Sequence, residues 1–293
     1  MRALAAVAVL LVASVAGCAS DGFRDRLLVG DAAAPAALAA LPGGGLRYGE
    51  RLTGRVREVD GEGRLRPEPL AQVDVSTEGQ RGLIGLAVDS RDRTFAAWTD
   101  PELRLVVGQV APPPVRLVWR GPATARIGNG GHLAFSPTGR LVVGVGDLQR
   151  GDRSGRLLAL DADGPPDQTP PVISSGWNNP FAFAFSPGGS PWVADNAPGD
   201  DPERLARVSP DGRPAFSRDL AGHQIAPSGL VALSDRQLVI CAYLPAQLIL
   251  YDVDSGRRRQ VAGGCRTGVV RLTSGDLAYA GDGEIRVVND PLP

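Results

Sequence analysis

The side chains able to do chemistry are few, and most of them fall in loops rich in glycine, asparagine and proline. Histidine occurs twice, at His132 and His223, and lysine not at all, so all 31 basic residues are arginine. That removes any mechanism that needs a lysine, whether as nucleophile or as Schiff base. Five loops hold the remaining candidates. The loop Thr77–Leu86 contains Gln80, and Arg126–Leu133 contains Gly128 and His132. Gly176–Phe183 contains Trp177, Asn178 and Asn179, Asp195–Arg204 contains Ala197, Pro198, Asp200 and Asp201, and Ile225–Leu230 closes the set. An imidazole such as His132 exchanges a proton near neutrality, but it serves equally as a structural or turn-bonding group. Two carbonyls followed by Asp200 and Asp201 would suit a hard cation, or would simply make an acidic surface turn.

The chain begins with Met1 and Arg2, an apolar run from Ala3 to Val15 and the tetrapeptide Val15-Ala16-Gly17-Cys18. This is the n-region, h-region and small-residue cleavage pattern of a secretion signal, too short to span a bilayer comfortably. A cysteine closing it matches the bacterial lipobox, so residues 1–17 are expected to be removed and Cys18 to carry the lipid. Residues 18–27 read as a polar tether and 28–293 as the folded body, exported, held at the membrane through Cys18 and monomeric. Cys241 and Cys265 would then meet an oxidising compartment and could pair, the alternative being a buried free thiol in Leu238-Val239-Ile240-Cys241. With a formal net charge of -1 and the arginines interspersed with carboxylates, nothing supports a nucleic-acid partner.

The elements that must carry the loops repeat. An apolar stretch, a turn of Ser, Pro, Asp or Gly and a second apolar stretch recur at Leu133 (LAFSPTGRLVVG) and Phe183 (FAFSPGGSPWVA), with weaker copies from Leu38, Leu86, Leu230 and Val269. Each is followed by an arm alternating at the two-residue period of a strand, such as Arg55-Val-Arg-Glu-Val or Arg156-Leu-Leu-Ala-Leu. Two hairpins per copy give four strands, and four-stranded units recurring at this length predict an all-β, six-bladed propeller of antiparallel blades. Helical periodicity is nearly absent after the leader. A strand near Arg26-Leu-Leu-Val-Gly would pair into the last blade and close the ring.

In order and spacing the five loops resemble landmarks of the soluble quinoprotein glucose/sorbosone dehydrogenases, six-bladed propellers that oxidise aldoses with pyrroloquinoline quinone (PQQ) and calcium. The resemblance runs roughly from Ala36 to Asn289. It implies a ligand-facing role for Gln80, contacts to the cofactor from Asn179 and Arg266, and calcium bound near Ala197 and Pro198 with Asp200 and Asp201 alongside. It also implies departures. The family's base histidine aligns with Gly128, leaving His132 as the only nearby imidazole, and the arginine that polarises the quinone aligns with Asn178. The lysine and one of the arginines that hold the quinone carboxylates have no counterpart. Trp177 would stack on a planar ligand or pack against the next blade.

Two functions follow. The chain would be an envelope lipoprotein that binds a sugar, another small polar ligand or an envelope protein at the channel mouth without the family's chemistry, and it need hold no cofactor. The alternative is an active PQQ- and calcium-dependent aldose dehydrogenase. Loss of several charged site residues with the scaffold glycines intact fits the first better. A lactonase-like hydrolase would want convergent metal ligands that two histidines and scattered acids hardly supply.

Overall fold

The computed structural model describes residues 23–199 and 201–292, and in it 24 strands form six four-stranded antiparallel sheets. The first strand, β1 (Asp25–Val29), belongs to the last blade. Blade one is β2 (Pro35–Ala40), β3 (Leu46–Glu50), β4 (Arg55–Val59) and the two-residue β5 (Ala71–Gln72). Blade two is β6 (Leu83–Val88), β7 (Thr94–Thr99), β8 (Arg104–Ala111) and β9 (Arg116–Ala123). Blade three is β10 (Gly130–Phe135), β11 (Leu141–Val145), β12 (Gly155–Leu160) and β13 (Val172–Trp177). Blade four is β14 (Ala182–Phe185), β15 (Pro191–Asp195), β16 (Arg204–Val208) and β17 (Pro214–Asp219), and blade five is β18 (Pro227–Ala232), β19 (Gln237–Ala242), β20 (Gln247–Asp252) and β21 (Arg258–Gly263). Blade six joins β22 (Thr267–Arg271), β23 (Leu277–Ala280) and β24 (Ile285–Val288) to β1. The first strand of every blade touches the first strand of the next, and β22 returns to β2, so the ring is closed.

Both faces of each blade are apolar because each packs on a neighbour. Six separate cores result, one at each blade-to-blade interface. Along β11 the two-residue period sends Val143 into the core shared with blade two and Val142 into the core shared with blade four. The interface between blades five and six holds a covalent staple, a disulfide between Cys241 and Cys265. Strand pairing closes the ring. β1 adds an outer strand to β24, with Asp25 opposite Val288 and Val29 opposite Ile285. The Asp25 carboxylate accepts from Arg286 Nε at 3.0 Å and from the Tyr279 hydroxyl at 2.9 Å. This pairing is the one expected from the sequence, but the boundary differs, since Asp25 to Leu27 are strand and not tether. Residues 1–22, which include Cys18 and the segment expected to be a leader, lie outside the described residues.

The repeated turn has a common construction. In blade three the Gly139 N–H returns to the Ser136 carbonyl at 2.9 Å, and in blade four Gly189 returns to Ser186 at 2.8 Å, each glycine at positive φ. A side chain there is strained, which is why Gly closes Ser-Pro-Thr-Gly and Ser-Pro-Gly-Gly. These turns lie at one end of the ring. At the other end five of the six inner strands shift register within their first residues, as between Pro35 and Ala37 or Thr267 and Val269. Such bulges re-aim side chains at the rim of a sheet. Because β1 ends beside the start of β24, the described chain enters at the end opposite those bulges.

Candidate functional site

A cavity of about 530 Å³ opens where the six inner strands begin. Every blade contributes at or beside the first residue of its inner strand, as with Pro35, Ile84, Gly130, Phe181, Pro227 and Thr267. A second set follows the second strand of a blade: Arg51 after β3, Asn196 after β15, Tyr243 after β19 and Gly281 after β23. The size suits a small molecule, and loops on a rigid ring are where a propeller carries its ligands.

Buried carboxylates hold the loops in place. Asp195, at the end of β15, accepts from the backbone N–H groups of Asn178 and Asn179 at 3.0 and 2.9 Å and from Arg204 Nε at 3.1 Å. Glu203 accepts from Ile225 and Ala226, both at 2.8 Å, and so fixes the backbone at the entrance of blade five. Asp147 accepts from Gln149 and Gly151 at 3.1 and 3.0 Å. Burial raises the pKa of each of the three, against those hydrogen bonds. Their oxygens are already engaged by the backbone, which makes them scaffold acids.

Three of the sequence candidates face the cavity. Gln80 Oε1 accepts from the Gly128 N–H at 3.0 Å, so the glutamine reaches to the glycine that aligns with the family's base. Asn179 Oδ1 accepts from the Gly130 N–H at 2.9 Å. Arg266 donates from Nη1 to the Tyr243 carbonyl at 2.7 Å and from Nε to Asp282 at 3.0 Å, its guanidinium 5.4 Å from the Tyr243 ring centre. The disulfide steadies this segment, and Ser228 Oγ donates to the Arg266 carbonyl at 2.6 Å. Arg51 is the residue that the loop reading missed. Its Nη1 donates to the carbonyls of Gly79 and Arg81 at 3.0 and 2.9 Å, and it has no carboxylate partner among the described residues. A Cβ at Gly82, where φ is +126, would lie 2.2 Å from the Arg51 carbonyl oxygen and 2.6 Å from its Cγ, so only glycine lets the loop close on this arginine.

His132 and Asn178 do not line the cavity. The His132 ring lies 4.9 Å from that of Phe183, nearly perpendicular to it, and 6.1 Å from that of Phe181, which does face the cavity. Burial lowers its pKa to about 4, with a hydrogen bond to the Phe183 backbone partly offsetting, so the imidazole is neutral at physiological pH. Asn178 is buried with its N–H on Asp195 and its amide nitrogen on the Asn196 carbonyl. Trp177 is fully buried in the core between blades three and four, with Arg204 4.9 Å over its ring.

The Asp201 side chain is 56 % exposed and paired with Arg153 at 3.5 Å, and Asp200 lies outside the described residues. No group of three or more His, Cys, Asp or Glu side chains among the described residues could hold a metal. For a quinone the fit is partial: Arg51 and Arg266 would donate to its carboxylates, while the only carboxylate among the described lining residues, Asp282, is ion-paired with Arg266.

No family model and no curated protein matches the chain. Solved structures do. A putative oxidoreductase (glucose dehydrogenase) of Thermus thermophilus superposes with a TM-score of 0.74 at 25 % identity, over 91 % of this chain and 99 % of that one. The PQQ-bound aldose sugar dehydrogenase of Streptomyces coelicolor gives 0.72 at 21 %, over 91 % and 98 %. A gluconolactonase of Xanthomonas campestris gives 0.70 at 15 %, over 92 % and 90 %, which speaks for the fold alone. The chain is a six-bladed β-propeller similar over nine-tenths of its length to the soluble glucose and aldose sugar dehydrogenases, the family whose loops its sequence resembles.

Proposed function

We propose that this protein is an exported propeller, anchored to the membrane through lipidated Cys18, that binds a small polar ligand at its channel mouth without oxidising it. One observation carries the reading: the described cavity lining holds no histidine, and its one carboxylate, Asp282, is ion-paired with Arg266. His132 packs against Phe181 and Phe183 outside that lining, and Gly128 offers only a backbone N–H, already given to Gln80. Oxidation of an aldose hydroxyl needs a base within hydrogen-bond reach of the proton, and a general base contributes roughly 10²–10⁴-fold to such a step. The entry of the described chain opposite the cavity supports a mouth that faces away from the membrane. The likeness to glucose dehydrogenases favours the second reading, a working quinone enzyme.

The experiment that separates them adds PQQ and Ca²⁺ to the purified protein and follows reduction of an artificial acceptor with a panel of aldoses. The proposal expects no turnover above the protein-free rate. Turnover that Asn179→Ala abolishes would overturn it.

A further inference from the structure

The orientation of two amides says what the cavity wants. The carbonyl oxygens of Gln80 and Asn179 both accept from backbone N–H groups, of Gly128 and Gly130. Since an amide nitrogen cannot face an N–H, this fixes both side chains with their NH₂ groups left over, and neither NH₂ has a partner in the described protein. The two arginines repeat the pattern. Arg51 uses only Nη1, on the carbonyls of Gly79 and Arg81, and Arg266 uses Nη1 and Nε. Nε and Nη2 of Arg51 and Nη2 of Arg266 remain as charged donors. These four side chains thus offer donors to the cavity, and the charge of its lining is +1, two guanidiniums less the Asp282 carboxylate.

The geometry points to a ligand carrying one oxyanion on an oxygen-rich body, held by Arg51 and Arg266 with Gln80 and Asn179 donating to its other oxygens. This inference rests on the binding reading above and names its ligand class. Planar forks of N–H donors match carboxylate and phosphate alike. A net charge of +1, with Asp282 beside Arg266, favours a singly charged carboxylate over a phosphate carrying close to two charges. The apolar side chains at the mouth, Phe181 and Tyr243, give the C–H face of a sugar ring a surface to lie on. A sugar acid has all of these features. Arg51 is the discriminating residue, because its head is preset by two carbonyls and its stem is enclosed by the Gly82 loop before any ligand arrives.

The test is calorimetric titration of the purified full chain with D-galacturonate, D-galactose and D-galactose 1-phosphate. The expected result is galacturonate at least about tenfold tighter than either other probe, and weakened several-fold at high salt. Arg51→Gln should bring that preference below about threefold, with Arg51→Lys in between, both variants unfolding cooperatively by circular dichroism. Equal affinity for acid and neutral sugar, or a preference unchanged in Arg51→Gln, overturns the inference and leaves the binding reading standing. No affinity for any of the three overturns both. Turnover in the quinone assay overturns the binding reading and with it the inference that rests on it.

Discussion

His132 sits on β10 among aromatic rings, and its protonation reports whether it belongs to the structure or to the chemistry. Burial lowers its pKa to about 4 from the ordinary value of 6.5, so between these two values the unfolded chain binds a proton that the native ring refuses. Stability therefore rises with pH across that window. The contribution is whole above about pH 6.5, declines as the pH falls, and changes no further below about pH 4. Linkage with those values gives a loss of about 2 kcal/mol between pH 7 and pH 5, and about 3 kcal/mol by pH 4. His132→Phe removes the titration while keeping a ring beside Phe183. Asp195 and Glu203, whose pKa values burial raises, push the opposite way but are common to both proteins. Urea unfolding followed by tryptophan fluorescence at several pH values should therefore show the wild type losing about 2 kcal/mol more than His132→Phe on going from pH 7 to pH 5. The comparison of slopes stands whatever constant offset the substitution introduces. Parallel pH dependences would refute the reasoning, because the imidazole would then be free to charge where it lies.

The disulfide between Cys241 and Cys265 closes a loop with a sequence separation of 24, which in the chain-entropy treatment corresponds to about 3.5 kcal/mol. Reduction should lower the denaturation midpoint accordingly, and because Arg266 follows Cys265 it should also weaken galacturonate more than it weakens galactose. Asn179→Ala strips the Gly130 N–H of its acceptor in a buried setting and should cost about 1–3 kcal/mol in chemical denaturation. Asn179→Asp keeps an acceptor for Gly130 but replaces the leftover NH₂ with a negative oxygen, so it should reduce binding of an acid sharply while sparing more of the stability.

Why the ring was legible in the sequence and part of the mouth was not follows from where each is specified. The six copies beginning at Leu38, Leu86, Leu133, Phe183, Leu230 and Val269 coincide with the first hairpins of the six blades. Their turns need residues that tolerate positive φ, and their strands need apolar residues on both faces, so the pattern is written locally. The strand at Arg26 was legible for the same reason, although its start at Asp25 was not, since Asp25 is held by Arg286 and Tyr279 from the far end of the chain. The outermost strand of blade one, Ala71–Gln72, carries too few residues to show a period. At the mouth, alignment of loops found Gln80, Asn179 and Arg266 because they lie in the non-repeating stretches. Arg51 lies outside them. A signal for it was present in the repeat itself, in the residue just after the second strand, which faces the cavity in four of the six copies as Arg51, Asn196, Tyr243 and Gly281. Neither the packing of His132 against Phe181 and Phe183 nor the pairing of Asp201 with Arg153 could be read from loop order, since both depend on contacts between neighbouring blades.

A crystal structure of the protein grown with galacturonate tests the account most directly. The account predicts the sugar acid at the starts of the six inner strands, its carboxylate against Arg51 and Arg266 and its other oxygens on the amide nitrogens of Gln80 and Asn179. A ligand seated elsewhere on the ring, or lying in that cavity with its carboxylate turned away from Arg51, would contradict it.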